Sequence, residues 1–363
     1  MGNADFSDRQ EAAGPLSRRR VIGSLAALGA GAALPLRAQP AGRPKRRLID
    51  VHHHFFPPAL LAAFEAYNTR HQQPQQAPFV LNWTPARTLE EMDKNGVATA
   101  VLSIASVPDG WFGLDDAAKR QLTRTCNDYA ARMMRDHPGR FGLFAALPIP
   151  DVEGSLREIE YAFDTLKADG VGIATNYGAT WPGDPAYKEI FAELDRRKAN
   201  VYFHPVSPNC CSGNFVPGVA ESVIEYPYDT GRAVLSLLFS GTFLARRNIK
   251  WLFSHGGGTI PFLAGRIVTQ TKFIKTLNEV APHGVDAELK RLHYETANAA
   301  YAPTMAALLK YVPLDNIMFG SDFPYVSVGQ NAEGLESIGL SATQLRAIEH
   351  ANAMRFVPRL AKA

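Results

Sequence analysis

Ten histidines occur in this 363-residue chain, and three of them stand together in Asp50-Val51-His52-His53-His54. Side chains alternate faces along an extended strand, so His52 and His54 point one way and His53 the other. Two imidazoles on one face can share a divalent cation, although such a pair alone reads equally well as a satisfied core or surface pair. Three further residues able to ligate a metal or move a proton close short apolar runs. His204 ends Val201-Tyr202-Phe203-His204, His255 ends Trp251-Leu252-Phe253-Ser254-His255, and Asp322 ends Phe319-Gly320-Ser321-Asp322. His137, His283, His293 and His350 instead sit beside Pro, Gly or charged residues in helical or loop context and read as structural.

The elements that must position these groups are strand-like runs at 48–54, 98–104, 140–147, 170–177, 201–204, 249–255, 292–298 and 317–322. They are short, mostly apolar and without strict alternation, as expected of parallel strands buried on both faces. Amphipathic helical patterns at 117–136, 154–168, 186–198 and 230–246 separate them. This alternation predicts an α/β protein with a (β/α)8 TIM-barrel architecture over residues 48–363. An open doubly wound sheet is the competing arrangement, but no GxGxxG follows the first run. In a parallel barrel the strand C-termini share one rim, so the runs ending at His54, His204, His255 and Asp322 deliver their last residues to one place. The stretch from Phe55 to Arg87 reads as a long loop after the first strand, a lid or a disordered segment.

These residues carry a resemblance. Asp50-Val51-His52-His53-His54-Phe55-Phe56-Pro57, Trp83-Thr84-Pro85, Met92-Asp93-Lys94-Asn95-Gly96-Val97, His204-Pro205, His255-Gly256-Gly257-Gly258 and Gly320-Ser321-Asp322-Phe323-Pro324 resemble the blocks of the amidohydrolase superfamily. The likeness is to the amidohydrolase-related branch of metal-dependent decarboxylases, which includes aminocarboxymuconate-semialdehyde, γ-resorcylate and 6-methylsalicylate decarboxylases. The resemblance implies that His52, His54, His204 and Asp322 ligate one metal ion and that His255 is an acid/base beside it. Dinuclear members place a carboxylated Lys or a Glu at the end of strand four. The run Gly170–Tyr177 contains neither, so a mononuclear site is expected. Three imidazoles and a carboxylate suit Zn²⁺ first, with Mn²⁺ tolerating the same donors when coordination expands.

Two chemistries fit such a centre. A decarboxylase would hold a carboxylate beside a second polar oxygen while His255 or Asp322 supplies the proton that replaces CO₂. A hydrolase would attack a lactone or amide carbonyl with activated water while His255 and Asp322 shuttle protons. The resemblance favours the carboxy-lyase acting on an aromatic or unsaturated carboxylic acid. A periplasmic binding protein without turnover is a further class, against which the acid/base residues beside a full ligand set argue. For substrate grip the resemblance expects Trp-x-Pro-x-x-Arg, but here Arg87 stands one place early. Arg87 is therefore either the partner of a substrate carboxylate or a solvated residue at a helix start.

Composition bounds the remaining classes. The chain is 46% hydrophobic and 20% charged with a net charge of +3, and residues 1–38 hold five of the basic and three of the acidic residues. The near-neutral remainder has no concentrated basic face for nucleic acid. Cys126, Cys210 and Cys211 are too few for a disulfide framework. Ser17-Arg18-Arg19-Arg20-Val21-Ile22 and the Ala- and Gly-rich run after it resemble a twin-arginine export signal over residues 1–38, followed by a Pro/Arg linker at 39–47. The expected product is a periplasmic or otherwise exported enzyme with no membrane span after signal removal, a small carboxylic acid as substrate, and homo-oligomerisation left open.

Overall fold

A computed structural model describes residues 46–105, 107–211 and 219–362; the expected export signal and nearly all of the expected linker lie outside the described residues. Eight parallel strands pair in sequential order: β1 (Leu48–His54), β2 (Val97–Ser103), β3 (Phe141–Ala146), β4 (Gly170–Ala174), β5 (Asn200–His204), β6 (Lys250–Phe253), β7 (His293–Glu295) and β8 (Ile317–Met318). The residues after β8 return to β1, where Val51 N donates to Phe319 O (3.0 Å) and His54 N to Phe323 O (2.8 Å). The predicted (β/α)8 barrel is the fold.

Two apolar layers follow from the strand pattern. Val201, Phe203, Trp251, Phe253 and Ile317 belong to the large outer core packed by the helices. Ile49, Val51, Val101, Phe144, Tyr202, Leu252 and Met318 form a second cluster with Ala353, Phe356, Val357 and Leu360 of the C-terminal segment. These strand side chains fill the barrel interior, as in other closed parallel barrels.

Simple alternation would then turn His52 and His54 outward, since Ile49 and Val51 already face in. The register corrects this. From Asp50 to His53, β1 advances three residues while β2 advances two, from Ala100 to Leu102. The extra residue is a bulge that re-aims the end of the strand. It brings His52 and His54 into the barrel mouth.

The helices match the sequence pattern with one correction. Asp116–Asp136 starts at Asp115, whose side chain accepts from Ala118 N, and Val152–Glu160 at Asp151, which accepts from Gly154 N. Such carboxylate caps satisfy otherwise orphaned amides. The expected long loop 55–87 is mostly helical: Pro58–Arg70, Pro78–Leu81 and the start of Pro85–Asn95. Each has Pro in its first turn, where a missing N–H costs nothing and φ is preset. Pro58–Arg70 buries Leu60, Phe64 and Tyr67, which anchors the segment on the barrel. Among the described residues, no helix is long and apolar enough to cross a membrane.

Candidate metal centre

His52, His54, His204 and Asp322 meet at the barrel mouth, with one ligand atom from each lying within 4.8 Å of the others. His52 Nε2 is 2.9 Å from His54 Nε2, and Asp322 Oδ1 lies 3.1 Å from His52 Nε2, 3.0 Å from His54 Nε2 and 4.0 Å from His204 Nε2. The far side of each ring explains why these nitrogens converge. His52 Nδ1 pairs with Glu295 Oε1 (2.9 Å), His54 Nδ1 with Ser103 O (3.1 Å) and His204 Nδ1 with Pro205 O (2.9 Å). Each partner is an acceptor, so with a cation bound each Nδ1 would keep the proton and each Nε2 would present its lone pair. Three ring nitrogens and a carboxylate oxygen converge on one point, and this donor set fits a divalent ion.

The electrostatics agree. Burial alone would lower the His52 pKa, but the Glu295 and Asp322 carboxylates outweigh it and push it up to about 10. Burial depresses His54 and drives His204 well below its ordinary value, the latter reinforced by His54 and His52. Burial opposes ionisation of Asp322, yet the charge on His52 and the bonds from His255, His52 and His54 hold its pKa well below the usual range. Two buried carboxylates, Asp322 and Glu295, therefore demand positive charge at this point.

Asp322 divides its oxygens between two tasks. Oδ1 faces the three imidazoles, while Oδ2 accepts from Asn298 Nδ2 (2.7 Å) and lies 3.5 Å from His255 Nε2. His255 (φ 53°), Asn298 (φ 54°) and Asp322 (φ 66°) all have left-handed backbone. Such strain in residues other than glycine concentrates where side-chain direction matters more than backbone comfort. Behind them, Asp50 locks the rim: Oδ1 accepts from the amides of His52 (3.1 Å) and Ser321 (3.0 Å), and Oδ2 from Ser321 Oγ (2.5 Å) and His53 Nδ1 (2.9 Å). His53 points away from the centre and stacks on Phe323, as its position in the motif predicts.

A cavity of about 820 Å³ opens over the centre, and His204, His255, Asn298, Asp322, Phe64, Tyr226 and Tyr325 line it. Arg87 is not in this wall; it is exposed on the first turn of Pro85–Asn95, where Nη1 donates to Asn82 O (3.1 Å). Cys210 and Cys211 follow β5 but contribute no ligand to the cluster. Glu295 and Asn298 escaped the sequence reading. Their only signal was a Glu and an Asn inside the apolar run 292–298, at the rim end of a strand that ends in no His or Asp.

The sequence profile of the amidohydrolase family matches residues 49–359. The 6-methylsalicylic acid decarboxylase of Penicillium expansum is 32% identical over 321 residues, covering 86% of this chain and 96% of that one. Decarboxylase yanB of Aspergillus niger is 31% identical over 326 residues, covering 86% and 87%. Among solved structures, the 5-carboxyvanillate decarboxylase of Novosphingobium aromaticivorans, complexed with manganese and 4-hydroxy-3-methoxy-5-nitrobenzoic acid, superposes with a TM-score of 0.78 over 88% of this chain and 97% of that one. At 18% identity that likeness speaks for the fold alone.

Proposed function

The chain belongs to the amidohydrolase family, and from that premise we propose that it is a metal-dependent decarboxylase of an aromatic or unsaturated carboxylic acid. The observation that carries this reading is the divided carboxylate of Asp322, which joins a cation-holding cluster to a proton-handling pair on one cavity wall. Curated decarboxylases at 31–32% identity over 86% of the chain support it.

When bound, a divalent ion supplies Lewis-acid charge for the substrate carboxylate and a neighbouring oxygen. The protein's own groups do the rest. Phe64, Tyr226 and Tyr325 offer aromatic surface to a planar acid. His255 Nε2–H, facing Asp322 Oδ2, holds the proton at the cavity wall. In the reaction the bond between ring carbon and carboxylate breaks, its electron pair stays on carbon, CO₂ leaves, and carbon takes one proton from this pair. We take Zn²⁺ as the resident ion from the three imidazoles and one carboxylate. Mn²⁺ is the competitor, supported by the manganese of the 5-carboxyvanillate enzyme. We further propose export of the folded enzyme through the twin-arginine segment, supported by Arg18-Arg19-Arg20 and the apolar run after them.

Isotope placement tests the reaction. Metal-replete protein screened against hydroxybenzoic acids in D₂O should release CO₂ and place one deuterium where the carboxylate stood. Entry of ¹⁸O from water into the product, with no CO₂ from any accepted substrate, would replace this reading with lactone or amide hydrolysis.

A further inference from the structure

We propose that Glu295 is a positioning residue that couples the metal ligand His52 to the proton-handling residue His255. It is fully buried at the end of β7 and is itself neither one of the cavity-lining residues nor one of the four ligands. Its Oε1 accepts from His52 Nδ1 (2.9 Å) and from the backbone N–H of His255 (2.6 Å), and Oε2 accepts from Ala297 N (2.6 Å). One oxygen thus sets which nitrogen of His52 is the ligand and where the left-handed turn carrying His255 begins.

Two observations support a dedicated role. A buried carboxylate is costly unless fully hydrogen-bonded, and this one receives three N–H donors. In addition, Gly320 exists to admit it. A Cβ at position 320 would overlap Glu295 Oε2 and crowd Glu295 Cδ (2.7 Å) and His52 Cβ (2.9 Å). The glycine two residues before the ligand Asp322 is therefore the vacancy into which the Glu295 carboxylate fits.

The proposal rests on the metal reading of the site and not on the reaction assigned to it. Glu295→Gln is nearly isosteric, but its amide cannot accept from both His52 Nδ1 and His255 N while also keeping Ala297. Turned toward His52, the NH₂ would favour the tautomer that protonates Nε2 and removes the ligand. Zn²⁺ affinity measured by chelator competition should fall about 10–100-fold with the circular dichroism unchanged, and the visible spectrum of the Co²⁺-substituted variant should shift. Gly320→Ala should move both readouts the same way. Turnover of Glu295→Gln at saturating Zn²⁺ should stay well below wild type, because His255 has also lost its anchor; full recovery overturns the coupling to His255. Zn²⁺ affinity within twofold of wild type and an unchanged Co²⁺ spectrum overturn the proposal. Wild-type protein that binds no Zn²⁺, Co²⁺ or Mn²⁺ at this site would instead remove the metal reading beneath it. Should the variants fail to fold, ¹⁵N-histidine spectra of the Zn²⁺-loaded wild type remain decisive: the proposal requires the His52 proton on Nδ1, and a proton on Nε2 overturns it.

Discussion

The two ends of the barrel are made from the same strands and solve opposite problems. At the base, the interior cluster of Ile49, Val51, Phe144, Tyr202 and Leu252 is continued by Phe356, Val357 and Leu360 from the C-terminal segment. That segment is fixed by Arg359, whose Nε and Nη2 lie 2.7 and 2.6 Å from the two Asp169 oxygens, and by Lys250 Nζ, which donates to Arg355 O and Phe356 O (3.1 Å each). At the rim, apolar filling gives way to the imidazoles of His52, His54, His204 and His255, the buried carboxylates of Asp50, Glu295 and Asp322, and left-handed backbone at His255, Asn298 and Asp322. Stability resides at the base, and the strain and unbalanced charge that chemistry needs sit at the rim.

Substitutions at the two ends should therefore fail differently. The largest effect belongs to His52→Ala/His204→Ala, which should empty the metal site and lower turnover below about one-thousandth of wild type; metal content near the wild-type level would break the contrast. His255→Ala should retain the metal, since the four-ligand cluster excludes it, yet lose about 10²–10⁴ in kcat. Loss of metal would make it a ligand, and activity within tenfold of wild type would remove it from the mechanism. At the base, Phe356→Ala should cost about 3–5 kcal/mol in denaturant unfolding while metal stoichiometry stays at the wild-type value.

The smallest effect is a pH dependence at the base. His293 packs edge-on to Phe356 with ring centroids 4.9 Å apart, and burial, partly offset by its bond to Trp251 O, lowers its pKa to about 4. Because the unfolded value is about 6.5, its contribution is complete above that pH and disappears as pH falls through about 4. On the order of 1–3 kcal/mol should be lost across that window. Urea midpoints at pH 7.5, 5.5 and 4 should show a steeper fall for wild type than for His293→Gln; parallel curves would exclude this histidine as a source.

How much of this was legible in the sequence also differs between the ends. The run at 48–54 coincides with β1, and the remaining strands begin within one residue of their apolar runs. The run at 201–204 also ends with its strand, but most other ends are overestimated: the runs at 292–298 and 317–322 contain only the short ladders His293–Glu295 and Ile317–Met318. Hydrophobicity continues past the last ladder bond because Ala297, Ala299 and Phe319 are buried where the chain has already turned into the site. The ligands were readable because His and Asp are rare at the ends of apolar runs. Glu295 and Asn298 were not, because they act through His52, His255 and Asp322, and that relation exists only once β7 lies between β6 and β8. The bulge in β1 was equally hidden, since the motif shows that His52 and His54 share a face but not which face.

The central claim is that one divalent ion sits among His52, His54, His204 and Asp322. The most direct test is anomalous diffraction from crystals of the metal-loaded protein, with data recorded on both sides of the metal's absorption edge. The account predicts a single strong peak per chain, bounded by the Nε2 atoms of the three histidines and by Asp322 Oδ1. A second peak toward β4, or a single peak ligated by other residues, would contradict it.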